Sequence, residues 1–244
     1  MRTACRGMPA KERNKILSGL KNHKIDIVIG THALIQKDIE FNSLGLVVVD
    51  EQHRFGVNQR NLLIQKGINP HLLSMTATPI PRTLAITYHG DMDLSVIDEI
   101  PKNRIPVVTK MVDEKRLNKV YSFIIDEVKA GKQCMIVHPL IEESEKSDLL
   151  AAIDMYDTLS TTVFKELNVG LLHGRQDKLQ KEKIMHDFSK NKINILLSTT
   201  VIEVGIDVPN ATVMLIENAE RFGLTQLHQL RGRVGRGSKK SYCI

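Results

Sequence analysis

The 244-residue chain contains no tryptophan, and aromatic residues make up only 4% of it. Stacking of bases on aromatic rings is therefore not expected to be its main mode of nucleic-acid contact. Cysteines are few and far apart: Cys5, Cys134 and Cys243. They form no CxxC pair and no zinc-ligand spacing, so they read as reduced, buried thiols rather than a disulfide framework or a metal site. No apolar run approaches the ~18–20 residues that span a bilayer. Met1–Arg6 is followed by no apolar signal core, and the chain reads as cytosolic. A phosphate-cradling P-loop is also missing. The one Gly-Lys pair, Gly131-Lys132, has Asp126 where the first glycine belongs and Gln133 where Ser or Thr belongs. Internal repeats and low-complexity tracts are absent as well.

What is present is a hydrophobic fraction of 42%, enough for a substantial core, and a net charge of +6 with a pI near 9.2. A basic surplus is compatible with a phosphate-bearing partner without establishing one. The length suits one large domain or two lobes of roughly 100–150 residues.

Short apolar runs recur along the chain: Ile25–Gly30, Leu44–Val49, Leu72–Met75, Val107–Val112, Cys134–Val137, Val169–Leu172, Ile193–Leu197 and Thr212–Ile216. Near strand length and almost wholly apolar, they predict strands of a parallel sheet buried on both faces. Helical periodicity lies between them. Lys11–Leu20 aligns Ile16, Leu17 and Leu20. Glu114–Ala130 aligns Leu117, Val120, Tyr121, Ile124 and Val128, with Gly131 as a C-cap residue. Lys178–Phe188 is a third amphipathic stretch. The alternation argues for an α/β architecture. Pro101–Pro106, polar and bracketed by prolines, reads as a linker between two lobes. The acidic stretch Ile141–Asp148 reads as a solvated loop or helix start.

The strand Leu44–Val49 runs directly into Asp50-Glu51-Gln52-His53. An apolar strand ending in two acids is the Walker-B arrangement, at the carboxyl edge where α/β sheets place ligands. The first acid suits a magnesium ion and the second an attacking water. The same pattern also ends ordinary strands in solvated acids. The next strand ends in Ser74-Met75-Thr76-Ala77-Thr78-Pro79. Its hydroxyls suit a hydrogen-bond relay, or simply a proline-terminated turn. In the second half, Leu196–Pro209 is a strand entering a hydroxyl-rich turn. Phe222–Gly237 then sets Arg233 and Arg236 three residues apart among glycines. Planar cations on such a close-approaching backbone suit a γ-phosphate reached from across a cleft. A basic loop on a nucleic-acid surface is the alternative. A dinucleotide fingerprint is excluded, because the glycines run G-x-x-G-x-G and no strand precedes them.

In this order, DEQH, SMTATPIPRTLA, the 196–209 run and the 222–237 run resemble motifs II, III, V and VI of superfamily-two helicases. The segments DEQHRFGV, Val137–Ser144 and Ile216–Phe222 resemble the RecG family in detail. The resemblance covers essentially the whole chain. It implies two RecA-like lobes with mostly parallel sheets, residues 1–105 and 106–244, the first truncated on its N-terminal side. It implies an ATP-dependent DNA helicase or translocase that remodels branched or forked DNA in recombination and repair, with ATP and magnesium as cofactors. Asp50 would hold the magnesium and Glu51 would activate water. Gln52 and His53 would couple the nucleotide to the other lobe, and Thr76, Ala77 and Thr78 would link hydrolysis to DNA movement. Gly205, Asp207, Gln229, Arg233 and Arg236 would meet the nucleotide, the last two as arginine fingers. Gly30, Thr31, His32, His173, Gly174, Arg175, Thr199 and Thr200 would contact the DNA backbone.

The transcription-repair coupling translocases share the 222–236 segment and are the alternative within the same class. A non-catalytic DNA-binding module is the alternative from a different class. By the resemblance, the P-loop and a DNA-wedge domain are expected upstream of Met1 and a helical hairpin downstream of Ile244. The 244 residues alone are then expected to turn over ATP negligibly. The strand Leu72–Met75 is expected to have an unpaired edge that favours self-association.

Overall fold

The computed structural model describes residues 2–4, 8–51, 55–77, 92–99, 104–139, 145–199 and 208–244. The expected site residues Gln52, His53, Thr78, Thr200, Gly205 and Asp207 lie outside them, as do residues 101–103 of the expected linker and 141–144 of the acidic stretch. The chain forms two compact units, Met1–Leu94 and Ser95–Ile244.

In the first unit, β1 (Arg2–Ala4) pairs in parallel with β2 (Val28–Gly30), and helix α1 (Ala10–Lys21) lies between them in sequence. A second parallel pair joins β3 (Leu46–Val49) to β4 (His71–Ser74), with α2 (Val57–Ile64) between them. The β-branched run of β3 favours an extended backbone. Its burial alternates: Val47 and Val49 are buried, while Leu46 is 57% and Val48 51% exposed. The apolar run thus predicted one more covered face than the described residues supply. An unbroken apolar strand needs a layer on each side, and here only one side of β3 is packed.

The second unit is built around a six-stranded sheet in the order β5-β10-β9-β6-β8-β7, parallel throughout. Its strands are β5 (Val108–Thr109), β6 (Gln133–Val137), β7 (Val169–Leu172), β8 (Ile195–Ser198), β9 (Ala211–Ile216) and β10 (Tyr242–Cys243). Parallel neighbours need crossovers. Helices α3 (Leu117–Lys129), α4 (Glu145–Thr158), α5 (Lys178–Ser189) and α6 (Leu224–Arg231) lie in the connections. Asp177 caps α5 by accepting the Gln180 N–H at 2.8 Å, which satisfies one of the free donors of its first turn.

Every residue of β6, β8 and β9 is buried. Successive side chains point to opposite faces, and the two faces gather separate clusters. Met135, Val137, Leu196, Met214 and Phe188 pack on one face. Cys134, Ile136, Leu197, Val213, Ile124 and Phe164 pack on the other. Burial of a single Phe or Ile in such a layer contributes about 1.5–3 kcal/mol. The layers hold the sheet's carboxyl edge in place. Burial pushes the Cys134 thiol well above its usual range and raises Cys243 to about 11, so both are inert packing residues. Among the described residues no helix is long and apolar enough to cross a membrane.

Candidate functional site

In the first unit the site grows from strand register. Val49 lies opposite Ser74, and the Met75 N–H donates to Val49 O at 2.8 Å. Asp50-Glu51 and Thr76-Ala77 therefore leave adjacent strands at the same edge. Glu51 adopts φ +51°, a left-handed conformation that costs a side-chain-bearing residue about 1–2 kcal/mol. Its N–H donates to Asp50 Oδ1 at 2.9 Å. The two acids thus share a tight turn at the strand end, with Asp50 exposed and Glu51 half-buried. Strain of this kind concentrates at functional sites.

The family implied by the sequence uses magnesium. Exposed carboxylate oxygen is the donor that magnesium prefers, and the ion usually keeps several waters and takes only one or two carboxylates besides phosphate oxygens. Asp50 fits that role. Among the described residues no group of three or more His, Cys, Asp or Glu is placed to hold a metal ion.

The turn after β2 carries Gly30, Thr31 and His32. Thr31 is extended, and a 3-10 turn, His32–Ile35, follows it. The His32 ring stacks on Phe55 with centroids 4.4 Å apart and planes 9° apart. Phe55 follows the DEQH segment, so the stack ties the turn after β2 to the chain leaving the acidic pair. Sequence reasoning missed Phe55. The only signal was its place in DEQHRFGV.

In the second unit Leu172 lies opposite Ser198, so His173 and Thr199 leave neighbouring strands together. Gln176, also missed by sequence reasoning, shapes this turn: its Oε1 accepts the His173 N–H at 3.0 Å and its Nε2 donates to Leu171 O at 3.0 Å. Lys181 Nζ donates to Gly174 O at 2.5 Å. Burial, then the charges of Lys181 and Arg175, hold the His173 imidazolium below the usual histidine range. His173 Nδ1 and Thr199 Oγ1 are buried and have no hydrogen-bond partner among the described residues. A phosphate oxygen is one acceptor that suits the Thr199 hydroxyl.

The two neighbouring strands end in a linked set. Tyr121 Oη donates to Glu217 Oε1 at 3.2 Å, and His138 Nδ1 lies 3.4 Å from Glu217 Oε2. Burial, then Glu217, raises the Tyr121 phenol well above its usual range.

The expected arginine residues follow α6. Gln226 Oε1 accepts the Gly223 N–H at 3.1 Å, which opens the helix. Leu230 and Val234, at 2% and 0% exposure, anchor it and the turn beyond. Gln229 and Arg233 are half-buried and Arg236 is exposed. Arg236 Nε donates to Gly232 O at 3.3 Å. The turn thus places the buried Val234 between a half-buried Arg233 and an exposed Arg236. Asp50 and the arginines belong to different units, and each set stands as described within its own.

Comparison with known proteins follows these divisions. Residues 1–87 match the DEAD/DEAH box helicase family, and residues 115–238 match the helicase conserved C-terminal domain. The chain is 56% identical to an ATP-dependent DNA helicase RecG of Thermotoga maritima over 233 residues, 96% of this chain and 30% of that protein. It is 54% identical to RecG of Bacillus subtilis over 234 residues, 96% of this chain and 34% of that one. It therefore spans about a third of the relatives it matches. A structure of RecG bound to a three-way DNA junction superposes with a TM-score of 0.75 at 50% identity, covering 99% of this chain and 31% of that one. The helicase Lhr of Mycobacterium smegmatis, bound to single-stranded DNA and AMP-PNP, superposes at 0.69 with 16% identity over 99% of this chain and 34% of that one, a likeness of fold. The parallel sheets with their crossover helices are thus RecA-like helicase units, and the chain belongs to the helicase family, in its RecG branch.

Proposed function

We propose that this chain is the motor core of an ATP-dependent DNA helicase that remodels branched or forked DNA in recombination and repair, acting in the cytoplasm. Asp50 holds the magnesium that accompanies ATP, and Glu51 orients and deprotonates the attacking water. Gln52, His53 and the Thr76-Ala77-Thr78 segment carry the outcome of hydrolysis toward the DNA. Gly205, Asp207, Gln229, Arg233 and Arg236 serve the nucleotide from the second lobe, which a linker at Pro101–Pro106 joins to the first. Gly30, Thr31, His32, His173, Gly174, Arg175, Thr199 and Thr200 take DNA phosphates. Phosphate contacts position a protein without reading sequence, so DNA structure rather than sequence selects the substrate. The exposed Leu46, Val48 and Leu73 favour self-association of the chain in isolation.

The observation that carries this reading is the acidic pair at the end of β3. Glu51 sits in a strained left-handed turn bonded to Asp50, beside the strand that delivers Thr76. The test is Glu51→Gln in the helicase that contains this chain. General-base loss lowers DNA-stimulated ATP turnover by about 10²–10⁴-fold, while nucleotide binding is retained. Turnover within a few-fold of the parent would refute the assignment. The 244 residues alone, having no phosphate-cradling loop, turn over ATP negligibly.

A further inference from the structure

The arginine turn 232–237 contains three glycines in six residues. Glycine leaves the backbone its widest freedom, so such a turn is poorly suited to aim two cations unless something outside it fixes the peptide planes. Two outside contacts do so. On one side Pro209-Asn210 backs the turn. A Cβ at Gly237 would lie 3.0 Å from Pro209 O, and Lys239 Nζ donates to Asn210 Oδ1 at 2.8 Å. On the other side stands the segment that enters β5. Arg104 Nε donates to Gly235 O at 3.1 Å. Gly235 is buried with φ +74°, and a Cβ there would lie 2.6 Å from Val107 Cγ2. The next residues are sewn to the strand that follows the turn: the Val108 N–H donates to Ser241 O and the Lys110 N–H to Cys243 O, both at 2.9 Å.

From this contact we infer that Arg104 is a positioning residue for the arginine turn. It fixes the Gly235 carbonyl, and with it the peptide that leads directly into Arg236. The guanidinium makes a charge-assisted bond, stronger than a neutral one, to the least constrained residue of the turn. Val107 closes the space into which Gly235 would otherwise relax. Arg104 lies on the chain leading into β5, so a change in the path of that chain changes the aim of Arg236. The inference rests on the reading of Arg233 and Arg236 as residues that meet a nucleotide phosphate. A catalytic cation displaced by about 1 Å can lose about 10²-fold in rate.

Two measurements test it, one independent of activity. In the 244-residue chain, Arg104→Ala should speed amide hydrogen exchange in residues 232–237 by about 10-fold or more, the loss expected for a bond to a charged donor, with β6 and β8 unchanged. Gly235→Ala should loosen the same residues, and Val107→Ala added to it should restore part of the protection by removing the clashing methyl. Unchanged exchange at 232–237 in Arg104→Ala, or loosening of the whole second unit, would overturn the inference. In the helicase that contains the chain, Arg104→Ala should lower kcat about 10–100-fold with KM for ATP within about two-fold. A loosened turn with unchanged kcat would overturn the positioning role and leave the proposed function standing. Absence of any Glu51-dependent turnover would instead sink the proposed function, and with it the catalytic consequence of the contact, while exchange alone still decides whether Arg104 holds the turn.

Discussion

Replacing Gln133 by methionine tests how the second unit's sheet is anchored at the edge opposite its site. Gln133 opens β6 and is 1% exposed. Its amide donates to Phe188 O at 2.6 Å and Ile193 O at 2.8 Å, and its Oε1 accepts from Asn210 Nδ2 at 3.3 Å. One side chain thus ties the end of α5, the approach to β8 and the approach to β9 to the central strand. Methionine fills a similar volume and makes none of these bonds. Each lost hydrogen bond to a neutral group is worth about 0.5–1.5 kcal/mol. Phe188 O keeps the Asn191 N–H at 3.0 Å, so it is not stripped bare. The two strong bonds therefore set the loss at about 2 kcal/mol. With a urea dependence of about 2 kcal/mol per molar, the midpoint of the second unit's unfolding should fall by about 1 M. Far-UV circular dichroism in urea reads this directly. A Gln133→Met midpoint within about 0.2 M of the parent would refute the account.

Two further outcomes follow from the described geometry. The imidazolium of His173 is disfavoured in the folded state, so the unfolded chain binds the extra proton more readily. Stability tied to this group is complete above the unfolded pKa of about 6.5 and is lost as pH falls from there through the depressed folded value. Urea midpoints measured from pH 7.5 to 5 should decline, and His173→Gln should flatten the decline; an unchanged slope would remove His173 from the explanation. In native-state hydrogen exchange the first unit should open well before the second. The pair β3-β4 buries one face only, and two-stranded pieces are marginal in water, whereas β6, β8 and β9 are buried throughout. Equal protection of Val47–Val49 and Met135–Val137 would contradict this.

Much of this could be read from the residues because two signals were strong. Each of the eight apolar runs contains a strand, but only β6, β8 and β9 are buried throughout as an unbroken apolar run implies; β2, β3, β4 and β5 keep exposed or half-exposed positions among the described residues. The three amphipathic stretches are helices for the corresponding reason of period. Helices α2 and α6 carried no such signature. Each is eight residues long and opens at a glycine whose N–H is accepted by a glutamine three residues on, Gln59 and Gln226. That is a polar, local device, invisible to hydrophobic period. Strands β1 and β10, three and two residues long, are too short to stand out. At the site, motifs named Asp50, Glu51, Arg233 and Arg236. They could not give the left-handed turn at Glu51, the His32–Phe55 stack or the Arg104–Gly235 bond. Those depend on which strand ends meet, and only the folded register decides that.

The strand order carries a cost in time. β5 ends at residue 109 and is held by β10, which begins at residue 242, so 133 residues (242 − 109) separate the partners. At about 5–20 residues per second, a ribosome takes about 7–27 s to make that interval. Throughout it the nascent β5 has no neighbour to pair with, and Arg104 has no turn to hold. The inner strands β6, β8 and β9 can assemble in the meantime, but the edge waits for almost the last residue of the second unit. Non-local pairing of this kind slows folding. A stalled or shortened chain would keep a well-packed centre while leaving its arginine turn untethered.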